Sequence, residues 1–263
     1  MNNQKISMIM PNLNGEKYII KAINSFLMQD YPYKELIIVD GLSNDSSHEI
    51  IQKFIAKNDS IIWIKEKDKG LADAINLGLN YCTGDIIGYL GSDDILYGQI
   101  FNEVANNSML IDFDAIYFNS YTYYINEKRC IFRKPPNVEF NNANILKFGT
   151  IVGLQNILFK KHIFEEFRFN ADNKYSMDYA LYLDIVNSKK RDYLFFYVDK
   201  TMSINIFDNN YSYIKEKEQF LEAFNIGIKY CKSLSDLENL MAIFPIEDKE
   251  RILNLKKKLN NVG

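Results

Sequence analysis

The 263-residue sequence is poor in the residues that build disulfide-rich or zinc-binding domains. It contains three cysteines, Cys82, Cys130 and Cys231, and none of them forms a CxxC pair. Its two histidines, His48 and His162, are far apart in the sequence. The composition therefore supports neither a disulfide framework nor a zinc site, and it weakens the case for a Ser-His-Asp triad.

The sequence also lacks long apolar runs and an excess of positive charge. No run approaches the ~18 apolar residues that a helix needs to span a bilayer, and the N-terminus lacks the apolar region and cleavage site of a signal peptide. We therefore expect a cytoplasmic protein. The formal net charge is −3, whereas binding of a phosphate backbone requires a basic face, so nucleic acid is not an expected partner.

The composition, 47% hydrophobic and 25% charged, is typical of a packed soluble protein. Four short apolar runs predict strands, and three segments with the apolar spacing of amphipathic helices alternate with them. The strands are predicted at 5–11, 35–39, 61–64 and 85–90, and the helical stripes at 18–27, 50–55 and 71–79. This alternation predicts an α/β fold with a mostly parallel, right-handed wound central sheet.

The second half of the sequence is less regular. Residues 115–125 and 130–133 predict two strands joined by a turn, which would form a small antiparallel addition to the sheet. A helix is predicted at 176–186, with Ser176 as a possible cap, and late strands at 195–198 and 202–206. Helices are predicted from about residue 211 onward. We therefore expect one domain over 1–206 and a helical extension over 207–263 that packs against it.

The fourth predicted strand lies in the stretch GDIIGYLGSDD and ends in two adjacent carboxylates, Asp93 and Asp94. Two like charges in a partly dry place raise each other's pKa unless a cation neutralises them. One of the two could instead cap a following helix, since Asp is a favoured N-cap residue. Ligands of wound sheets bind beyond the carboxyl ends of the strands. Because Pro11-Asn12, Asp40-Gly41 and Ser92 also follow strands, polar groups from three strands are predicted to meet at one edge.

Four stretches carry a resemblance to a known family: ISMIMPNLNGEKYIIKAINSFLMQDYP, ELIIVDGLSNDSS, DKGLADAINLGLNYCTGDIIGYLGSDD, and LQNILFKKHIFEEFRFN through SMDYALYLDI. With these motifs in this order, the sequence resembles the inverting family 2 glycosyltransferases, especially bacterial enzymes that build surface polysaccharides. The resemblance covers most of residues 5–186 and implies the GT-A fold. It also implies transfer of a sugar from a nucleoside diphosphate sugar, UDP-linked on family grounds, to a hydroxyl of a glycan or lipid-linked saccharide.

The resemblance implies roles for individual residues. Asp93 and Asp94 match the pair that holds Mn²⁺ or Mg²⁺ on the nucleotide diphosphate, with Asp94 as the better direct ligand, and carboxylate oxygens suit such cations. Asp40 matches the aspartate that contacts the nucleobase, although an aspartate before glycine is also typical of a turn. The residues that the resemblance places at the donor are Pro11, Asn12, Asn14, Asp40, Lys69, Gly70, Asp73, Asn76, Ser92 and Asp93.

Three further residues of this set also have an alternative role. Lys69 matches a basic position near the diphosphate, but it could equally be a solvated loop lysine. Asp73 and Asn76 are three apart on one helical face and match positions that face the donor sugar. The alternative for this pair is an exposed polar face.

The resemblance also implies a catalytic base and an acceptor site. Asp178 matches the carboxylate that takes the proton of the acceptor hydroxyl in an inverting transfer. Its alternative role is to complement the helix dipole in the first turn, typically worth ~0.3–1 kcal/mol. Gln155 and Asn156 match a stretch near the acceptor.

The C-terminal tail combines basic and aromatic residues. A peripheral contact with a membrane that carries a lipid-linked acceptor is one prediction, and an ordinary amphipathic helix packed on the domain is the other. The residues concerned are Lys215, Lys217, Phe220, Phe224 and the run 256–258.

Other functions compete with transfer. A sugar-nucleotide nucleotidyltransferase would carry a Gly-rich, basic loop after the first strand, but the stretch PNLNGEK has one glycine and no arginine. A signalling receiver would place its acidic pair after the first strand, where this sequence has no Asp. A non-catalytic binder of the same fold stays open. We expect a metal-dependent, inverting hexosyltransferase.

Overall fold

The computed structural model describes residues 4–208, 216–245 and 248–260. Its strands are β1 (Ile6–Asn12), β2 (Lys34–Asp40), β3 (Ile61–Lys65), β4 (Ile86–Tyr89), β5 (Ile95–Leu96), β6 (Ala115–Tyr124), β7 (Arg129–Arg133), β8 (Ile157–Lys160) and β9 (Phe195–Phe207). Its α-helices are α1 (Ile19–Leu27), α2 (Ser47–Ile55), α3 (Leu71–Leu79), α4 (Ile100–Leu110), α5 (Asn142–Phe148), α6 (Ile163–Glu166), α7 (Met177–Val186), α8 (Glu216–Gly227), α9 (Leu234–Ile243) and α10 (Lys249–Asn260). None of the helices in these ranges is long and apolar enough to cross a bilayer.

The chain forms two compact units that interleave in sequence. The first comprises Met1–Pro135, Val152–Ala171 and Tyr193–Asp208. The second comprises Pro136–Ile151, Asp172–Asp192 and Asn209–Gly263. This division differs from the boundary predicted at residue 206, because two earlier segments of the chain belong with the C-terminal helices.

The first unit is built on one mixed sheet, with the strand order β3-β2-β1-β4-β8-β6-β9-β5 and β7 paired to β6. Strand β1 pairs in parallel with both β2 and β4, and β2 pairs in parallel with β3. The α/β architecture and the parallel half of the sheet are therefore confirmed. Strand β8 runs antiparallel to β4 and β6.

Several elements in the second half of the sheet differ from the prediction. The two predicted late strands are one strand, β9, whose pairing with β6 shifts register between Phe118 and Ser120. Strands β5 and β8 were not predicted, since they have two and four residues, too few to show a period. The predicted hairpin is present as β6 and β7.

The apolar stripe of α1 packs on the parallel half of the sheet. Ile19, Ala22, Ile23 and Phe26 are fully buried and belong to the same core cluster as side chains of β1, β2 and β4. Burial of each such aliphatic or aromatic side chain contributes roughly 1.5–3 kcal/mol. This packing fixes the strand ends from which the polar residues of the first unit project.

The second unit is helical, and its packing explains the chain division. Tyr182 on α7 packs edge-to-face on Phe140, with ring centroids 5.2 Å apart. Tyr179, also on α7, contacts Phe244 after α9, with centroids 5.5 Å apart. The amide of Asn142 at the start of α5 donates to the carbonyl of Tyr230 at 3.2 Å. Helices α5 and α7, which precede residue 206, thus share a core with the C-terminal helices.

Two residues of the predicted membrane contact take part in this core. Phe224 is fully buried, and Phe220 packs against Phe244 with ring centroids 5.9 Å apart. The rings of Phe220 and Phe224 therefore pack against other residues of the second unit. Lys215 lies outside the described residues.

A buried ionic network stabilises the sheet at the edge opposite the carboxyl ends of the parallel strands. The carboxylate of Glu35, 4% exposed, accepts from the hydroxyl of Ser7 at 2.6 Å, from the backbone N–H of Thr83 at 2.7 Å and from the Thr83 hydroxyl at 2.8 Å. Lys5 completes the network as an ion pair at 2.5 Å. Burial alone would raise the pKa of Glu35, but these partners lower it.

Replacing Glu35 by Ala is expected to lower the free energy of unfolding by about 2–4 kcal/mol, because the buried hydroxyl of Ser7 and the two donors of Thr83 lose their acceptor. The exposed Glu49 on α2 provides the matched control, Glu49→Ala, which should cost less than about 1 kcal/mol. Urea denaturation at pH 7 measures both. A loss no larger than that of the control would mean that the network does not stabilise the sheet.

Candidate active site

The carboxyl ends of β1 and β2 are joined by one buried carboxylate, that of Asp40. Its Oδ2 accepts from the amide of Asn12 at 2.7 Å and from the hydroxyl of Ser43 at 2.7 Å. Its Oδ1 accepts from the backbone N–H of Ser43 at 2.8 Å and lies 2.8 Å from Nε2 of His48. Burial alone would raise the pKa of Asp40, but these four contacts lower it.

The environment of Asp40 bears on the base contact predicted for it. Asp40 is 0% exposed, and both of its oxygens are occupied within the protein. The carboxylate therefore presents no surface to a nucleobase in this arrangement. It positions Asn12, Ser43 and His48 instead, and the last of these also packs on Trp63 with ring centroids 5.4 Å apart.

The loops that follow β1 and β2 are tied together by further hydrogen bonds. The backbone N–H of Asn14 donates to the Ser43 hydroxyl at 2.8 Å, and the N–H of Asn44 donates to the Asn14 side chain at 2.9 Å. The N–H of Gly15 donates to the Ser47 hydroxyl at 3.0 Å. Asn14 therefore holds the shape of the loop after β1 through contacts at both its backbone and its side chain.

The two aspartates after β4 converge on one point. A Cβ atom added to Gly91 would lie 2.7 Å from Oδ2 of Asp94 and 2.9 Å from Oδ1 of Asp93. Burial, and then the charge of Asp93, raises the pKa of Asp94 to about 7. Burial also raises the pKa of Asp93. Helix α4 begins only at Ile100, so neither aspartate caps it.

A chain of polar side chains leads away from Asp94. Asn205 on β9 donates a hydrogen bond to its carboxylate, and the backbone N–H of Ile206 lies 3.3 Å from Oδ1. The Asn205 amide also donates to the Ser203 hydroxyl at 3.0 Å. That hydroxyl donates to the amide oxygen of Asn156 at 2.7 Å. The predicted acceptor residue Asn156 is thus linked to Asp94.

Sequence reasoning missed Ser203 and Asn205. Their signal was present, since SINIF in β9 alternates polar and apolar residues with the two-residue period of a strand. The alternation does not reveal which partner strand carries the aspartates. That information depends on the pairing of β5 with β9, in which Ile95 lies opposite Ile204.

The segment between β3 and α3 places the DKG motif at the same edge. Gly70 precedes α3 with φ of 133°, a left-handed conformation that glycine adopts without strain. Asp73 accepts from the backbone N–H of Lys69 at 2.9 Å. The side chain of Lys69 is exposed.

Asn76 makes a different contact from the one predicted. Its amide nitrogen donates to the carbonyl of Phe169 at 2.7 Å, and its amide oxygen accepts from the N–H of Phe169 at 3.1 Å. The side chain therefore holds the FRFN segment on α3. Asp73 and Asn76 line an open cleft of about 300 Å³ together with Arg168.

The acidic pair after β4 offers carboxylate oxygens of the kind that divalent cations bind. Within the described ranges, no group of three or more His, Cys, Asp or Glu side chains could hold a metal ion. Mg²⁺ and related hard cations nevertheless bind through one or two carboxylates when substrate phosphates and water supply the other ligands. Asp93 and Asp94 converge over Gly91, and burial raises the pKa of both carboxyl groups. The pair therefore fits Mn²⁺ or Mg²⁺ bound together with a diphosphate.

Asp178 belongs to the second unit. It lies in the first turn of α7 and is half-buried, and its Oδ1 accepts from the backbone N–H of Tyr179 at 2.8 Å. Burial raises the pKa of Asp178 to about 6. Ser176 makes no side-chain cap.

The start of α7 is held from another helix. The carboxylate of Glu222 on α8 accepts from the backbone N–H groups of Lys174 at 2.9 Å, Tyr175 at 2.8 Å and Ser176 at 2.7 Å. Glu222 therefore holds the three residues that precede α7. It also fixes the turn that presents Asp178.

The structure brings most of the predicted donor residues to the carboxyl edge of the parallel strands. Those at or directly after β1, β2, β3 and β4 are Pro11, Asn12, Asn14, Asp40, Lys69, Gly70, Ser92, Asp93 and Asp94. Asp73 and Asn76 follow on α3.

Comparison with known protein families identifies the family of the chain that carries this edge. The family model described as "Glycosyl transferase family 2" matches residues 7–175. The chain belongs to glycosyl transferase family 2. The match includes every predicted donor residue and ends before Asp178. It excludes the receiver and nucleotidyltransferase alternatives.

Relatives with known sequences support the same family. An uncharacterized glycosyltransferase of Haemophilus influenzae is 31% identical over 196 residues, which cover 74% of this chain and 77% of that protein. The Escherichia coli protein named UDP-Glc:alpha-D-GlcNAc-diphosphoundecaprenol beta-1,3-glucosyltransferase WfaP is 31% identical over 186 residues, 69% of this chain and 70% of that protein. Glycosyltransferase GlyA of Streptococcus pneumoniae is 25% identical over 181 residues, and the match spans only 26% of its length.

Solved structures show the same GT-A fold. TarS of S. aureus, solved with UDP-GlcNAc, has a TM-score of 0.68 at 17% identity, covering 98% of this chain and 72% of that chain. The mannosyltransferase PcManGT of Pyrobaculum calidifontis, solved with GDP-Man and Mn²⁺, has a TM-score of 0.67 at 16% identity, covering 98% of this chain and 74% of that chain. At this identity the likeness concerns the fold alone.

The network around Asp40 predicts a pH-dependent loss of stability. Asp40→Asn keeps the shape, but its NH₂ group would face other donors, so we expect the free energy of unfolding at pH 7 to fall by about 2–4 kcal/mol. The pKa of Asp40 is lowered in the folded state. Its contribution is therefore present above its unfolded pKa, about 3.9, and is lost as pH falls through the folded value.

Urea denaturation of parent and Asp40→Asn between pH 7 and pH 3 measures this contribution. The difference between the two proteins should be constant near neutrality and shrink toward pH 3. The exposed Asp30 gives the control Asp30→Asn, which should show a small difference at every pH. A difference for Asp40→Asn that grew on acidification would contradict the assignment.

Proposed function

We propose that this protein transfers a hexose from a UDP-linked sugar to a hydroxyl of a saccharide acceptor, with inversion of the anomeric centre and with the aid of a divalent cation. Family membership alone does not establish the donor, the metal, the stereochemistry or the acceptor. One observation carries it: Asp93 and Asp94 converge at the edge where the loops of the other parallel strands also meet.

The acidic pair has the chemistry that such a transfer needs. Asp94 would hold Mn²⁺ or Mg²⁺, with Asp93 beside it, and when bound there the cation supplies positive charge that stabilises the departing diphosphate. Asn205 and the backbone N–H of Ile206 hold the Asp94 carboxylate in place. Lys69, exposed at the same edge, contributes a further positive charge toward the diphosphate.

Asp178 is the proposed base. An inverting transfer requires a carboxylate that takes the proton of the attacking hydroxyl. With a pKa of about 6, Asp178 is mostly ionised at pH 7 and is a stronger base than an ordinary aspartate. The ionised carboxylate of Asp178 in the first turn of α7 lowers the stability of the protein, because burial disfavours the ionised form.

The donor and acceptor classes draw support from the relatives. WfaP is named for UDP-Glc as donor, for a lipid-linked diphosphate saccharide as acceptor and for a β-1,3 product. TarS was solved with UDP-GlcNAc. We therefore assign to this protein a UDP-linked donor and a lipid-linked saccharide acceptor, whose lipid would bring the protein to a membrane surface.

The metal assignment predicts that Asp94→Asn removes Mn²⁺-dependent binding of UDP while the protein stays folded, because one of two carboxylate ligands is lost. Calorimetric titration with UDP, with and without Mn²⁺, measures this. Asp112→Asn, at an exposed aspartate after α4, is the control and should bind like the parent. Equal binding by Asp94→Asn, or equal transfer in EDTA and in Mn²⁺, would refute the metal role.

The base assignment predicts that Asp178→Asn leaves UDP binding nearly intact and lowers the rate of transfer by ~10²–10⁴-fold, the range for a positioned acid or base. Because the buried charge is removed, the free energy of unfolding should rise at pH 7 relative to the parent. The parent should lose stability as pH rises from about 4 to about 6, since its folded state retains the proton longer.

Transfer assays with UDP-sugars and product NMR measure these effects, and Asp192→Asn, at an exposed position, serves as the control. If Asp178→Asn keeps the rate of transfer within a few-fold of the parent, Asp178 is not the base and its role is to stabilise its helix. An α-linked product from an α-linked donor would exclude single-step inversion. Absence of transfer by the parent, despite tight UDP binding, would indicate a non-catalytic member of the family.

A further inference from the structure

We propose that the hairpin of β6 and β7 is a membrane-docking element that binds the surface of an anionic lipid bilayer. The surface concerned, the hairpin patch, combines basic side chains with a line of aromatic rings. Its basic members are Lys128, Arg129, Arg133 and Lys134, and its aromatic members are Tyr97, Tyr121, Tyr123 and Phe132. The purpose of the contact, to bring the protein to a lipid-linked acceptor, rests on the proposed function.

Strand β7 is an edge of the sheet, and its side chains lie in solvent. Among the strands of the described ranges it pairs with β6 alone. Four of its five residues are exposed, and Ile131 in the middle is half-buried. An exposed edge strand presents unpaired backbone groups to any surface that approaches it. The side chains of β7 therefore decide which surface that is.

The aromatic members form a line of rings that begins at this edge. Tyr121 on β6 and Phe132 on β7 are opposite each other, and their ring centroids are 5.4 Å apart. Tyr97, directly after β5, continues the line with its centroid 5.8 Å from that of Tyr121. The exposed fractions of Tyr97 and Phe132 are 46% and 48%. A contiguous exposed apolar surface of this kind marks a site of contact with another molecule or a membrane.

The basic members give the hairpin a positive charge in a chain whose net charge is −3. The sequence from Glu127 to Lys134 holds four cationic residues and one carboxylate. Glu127 forms an ion pair with Arg129 at 2.7 Å. The guanidinium of Arg133 instead donates to neutral oxygens, those of Tyr124 at 2.8 Å and Thr122 at 3.4 Å. These hydrogen bonds orient Arg133 without neutralising its charge, which is left for an external anion.

An anionic bilayer matches both parts of the hairpin patch. Its lipid phosphates attract basic side chains, and a guanidinium can bind a phosphate through two parallel hydrogen bonds. The boundary between headgroups and acyl chains accepts aromatic rings, and tyrosine suits it because its ring is apolar and its hydroxyl polar. The combination of exposed rings with arginines on one hairpin is therefore the chemistry of an interfacial contact.

Protection of the sheet edge does not by itself explain the patch. Charged side chains on an edge strand hinder pairing with other chains, and Arg129 and Arg133 would serve that purpose. Phe132, exposed between them, works against it, and so does the line of rings beside it. A strand selected only to stay unpaired would carry polar residues at these positions.

Two other partners fit the patch less well. Antiparallel pairing of two β7 strands about Ile131 would place Arg129 of one copy opposite Arg133 of the other, and like charges directly opposite each other are destabilising. A neutral saccharide could pack on ring faces, but successive rings of the line are inclined by 61° and 55° and offer no common plane. Such a saccharide would also gain nothing from the basic members.

The hairpin patch is continuous with the strand that supports the acidic pair. Thr122 and Tyr123 of β6 lie opposite Asn205 and Ile206 of β9, the two residues that contact Asp94. Strand β7 lies on the other side of β6, so it is two strands, or about 10 Å, from β9. A bilayer bound along β7 would therefore hold its headgroups close to the strand that positions Asp94, where a saccharide carried by a lipid has to arrive.

The experiment measures binding to lipid vesicles by co-sedimentation, without nucleotide or acceptor. Vesicles of equal parts phosphatidylglycerol and phosphatidylcholine are compared with vesicles of phosphatidylcholine alone. The parent is expected to bind the anionic vesicles at least about 10-fold more tightly, and added salt should weaken this binding because it screens the charges. The double variant Arg129→Gln and Arg133→Gln should bind them about 10- to 100-fold more weakly, since each basic residue near such a surface contributes roughly fivefold.

Matched variants separate the effect of charge from an effect on folding. Arg129→Lys with Arg133→Lys keeps both charges and should bind anionic vesicles within a few-fold of the parent. Lys53→Gln with Lys57→Gln removes two exposed charges at α2 and should also bind like the parent. Thermal denaturation reports whether each variant is folded.

A second pair of variants tests the aromatic line. Phe132→Ser should weaken binding to anionic vesicles by about 3- to 15-fold, because a half-exposed ring loses its apolar contact with the bilayer. Leu110→Ser, at the end of α4, removes a side chain that is 81% exposed and should leave the binding unchanged.

Several results would overturn the proposal. One is parent-like vesicle binding by both the double Arg→Gln variant and Phe132→Ser. Another is a loss of binding confined to Lys257→Gln with Lys258→Gln, which would assign the membrane contact to α10. A parent that binds duplex DNA but no vesicles, or that forms a dimer dissociated by the β7 variants and binds no vesicles, would assign the patch to a different partner.

The outcomes for docking and for the proposed function are distinguishable. A parent that binds UDP with Mn²⁺ but no anionic vesicles would refute docking and leave the proposed function standing. A parent that binds vesicles through the hairpin patch but neither binds UDP nor transfers sugar would refute the proposed function and leave docking standing. The hairpin variants should bind UDP like the parent, because none of the substituted residues contacts the acidic pair or the Asp40 network.

Discussion

The buried carboxylate of Asp40 is the constraint on which the ligand edge depends. A carboxylate removed from water must be supplied with donors, or it becomes protonated or destabilises the fold. Here Asn12, Ser43 and His48 supply them, and each comes from a different segment: the end of β1, the loop after β2 and the first turn of α2. The hydrogen bonds that satisfy the charge of Asp40 therefore hold the loops after β1 and β2 in place. Asn14 then completes the edge through the same Ser43 hydroxyl.

The acidic residues of this protein divide into two classes by how their charge is satisfied. Asp40 and Glu35 are buried, their oxygens are filled by donors of the protein, and their pKa values are lowered. At Asp94 and Asp178, burial outweighs the hydrogen bonds that the carboxylates accept, and their pKa values are raised. Asp68 belongs to the second class, because burial raises its pKa. The carboxylates with lowered pKa values hold the structure together, whereas a pKa raised by burial marks a carboxylate as a candidate for binding a cation or taking up a proton.

How well these features can be predicted from the sequence depends on how far apart in the chain the interacting residues lie. The parallel half of the sheet and the meeting of polar residues at its edge follow from local periodicity and from the rule that parallel strands end on one side. The contacts of Asp40 could not be predicted from the sequence. An aspartate that follows a strand gives the same sequence pattern whether its hydrogen-bond donors belong to the protein or to a ligand. Likewise, Ser176 reads as a cap in the sequence. Only the fold shows that the Ser176 side chain makes no cap and that Glu222, 46 residues further on, accepts from the backbone N–H of Ser176 before the helix.

The supports for donor binding and for proton transfer are built independently. The donor edge depends on strand ends and on the Asp40 network, all within the residues matched by the family model, 7–175. Asp178 lies beyond that match, on a helix whose start is held by Glu222 of α8. A carboxylate desolvated on α7 keeps its raised pKa only while that turn stays in place, since the shift comes from burial. The basicity of the proposed base therefore depends on contacts of α7 with Glu222 of α8, which lies outside the family match.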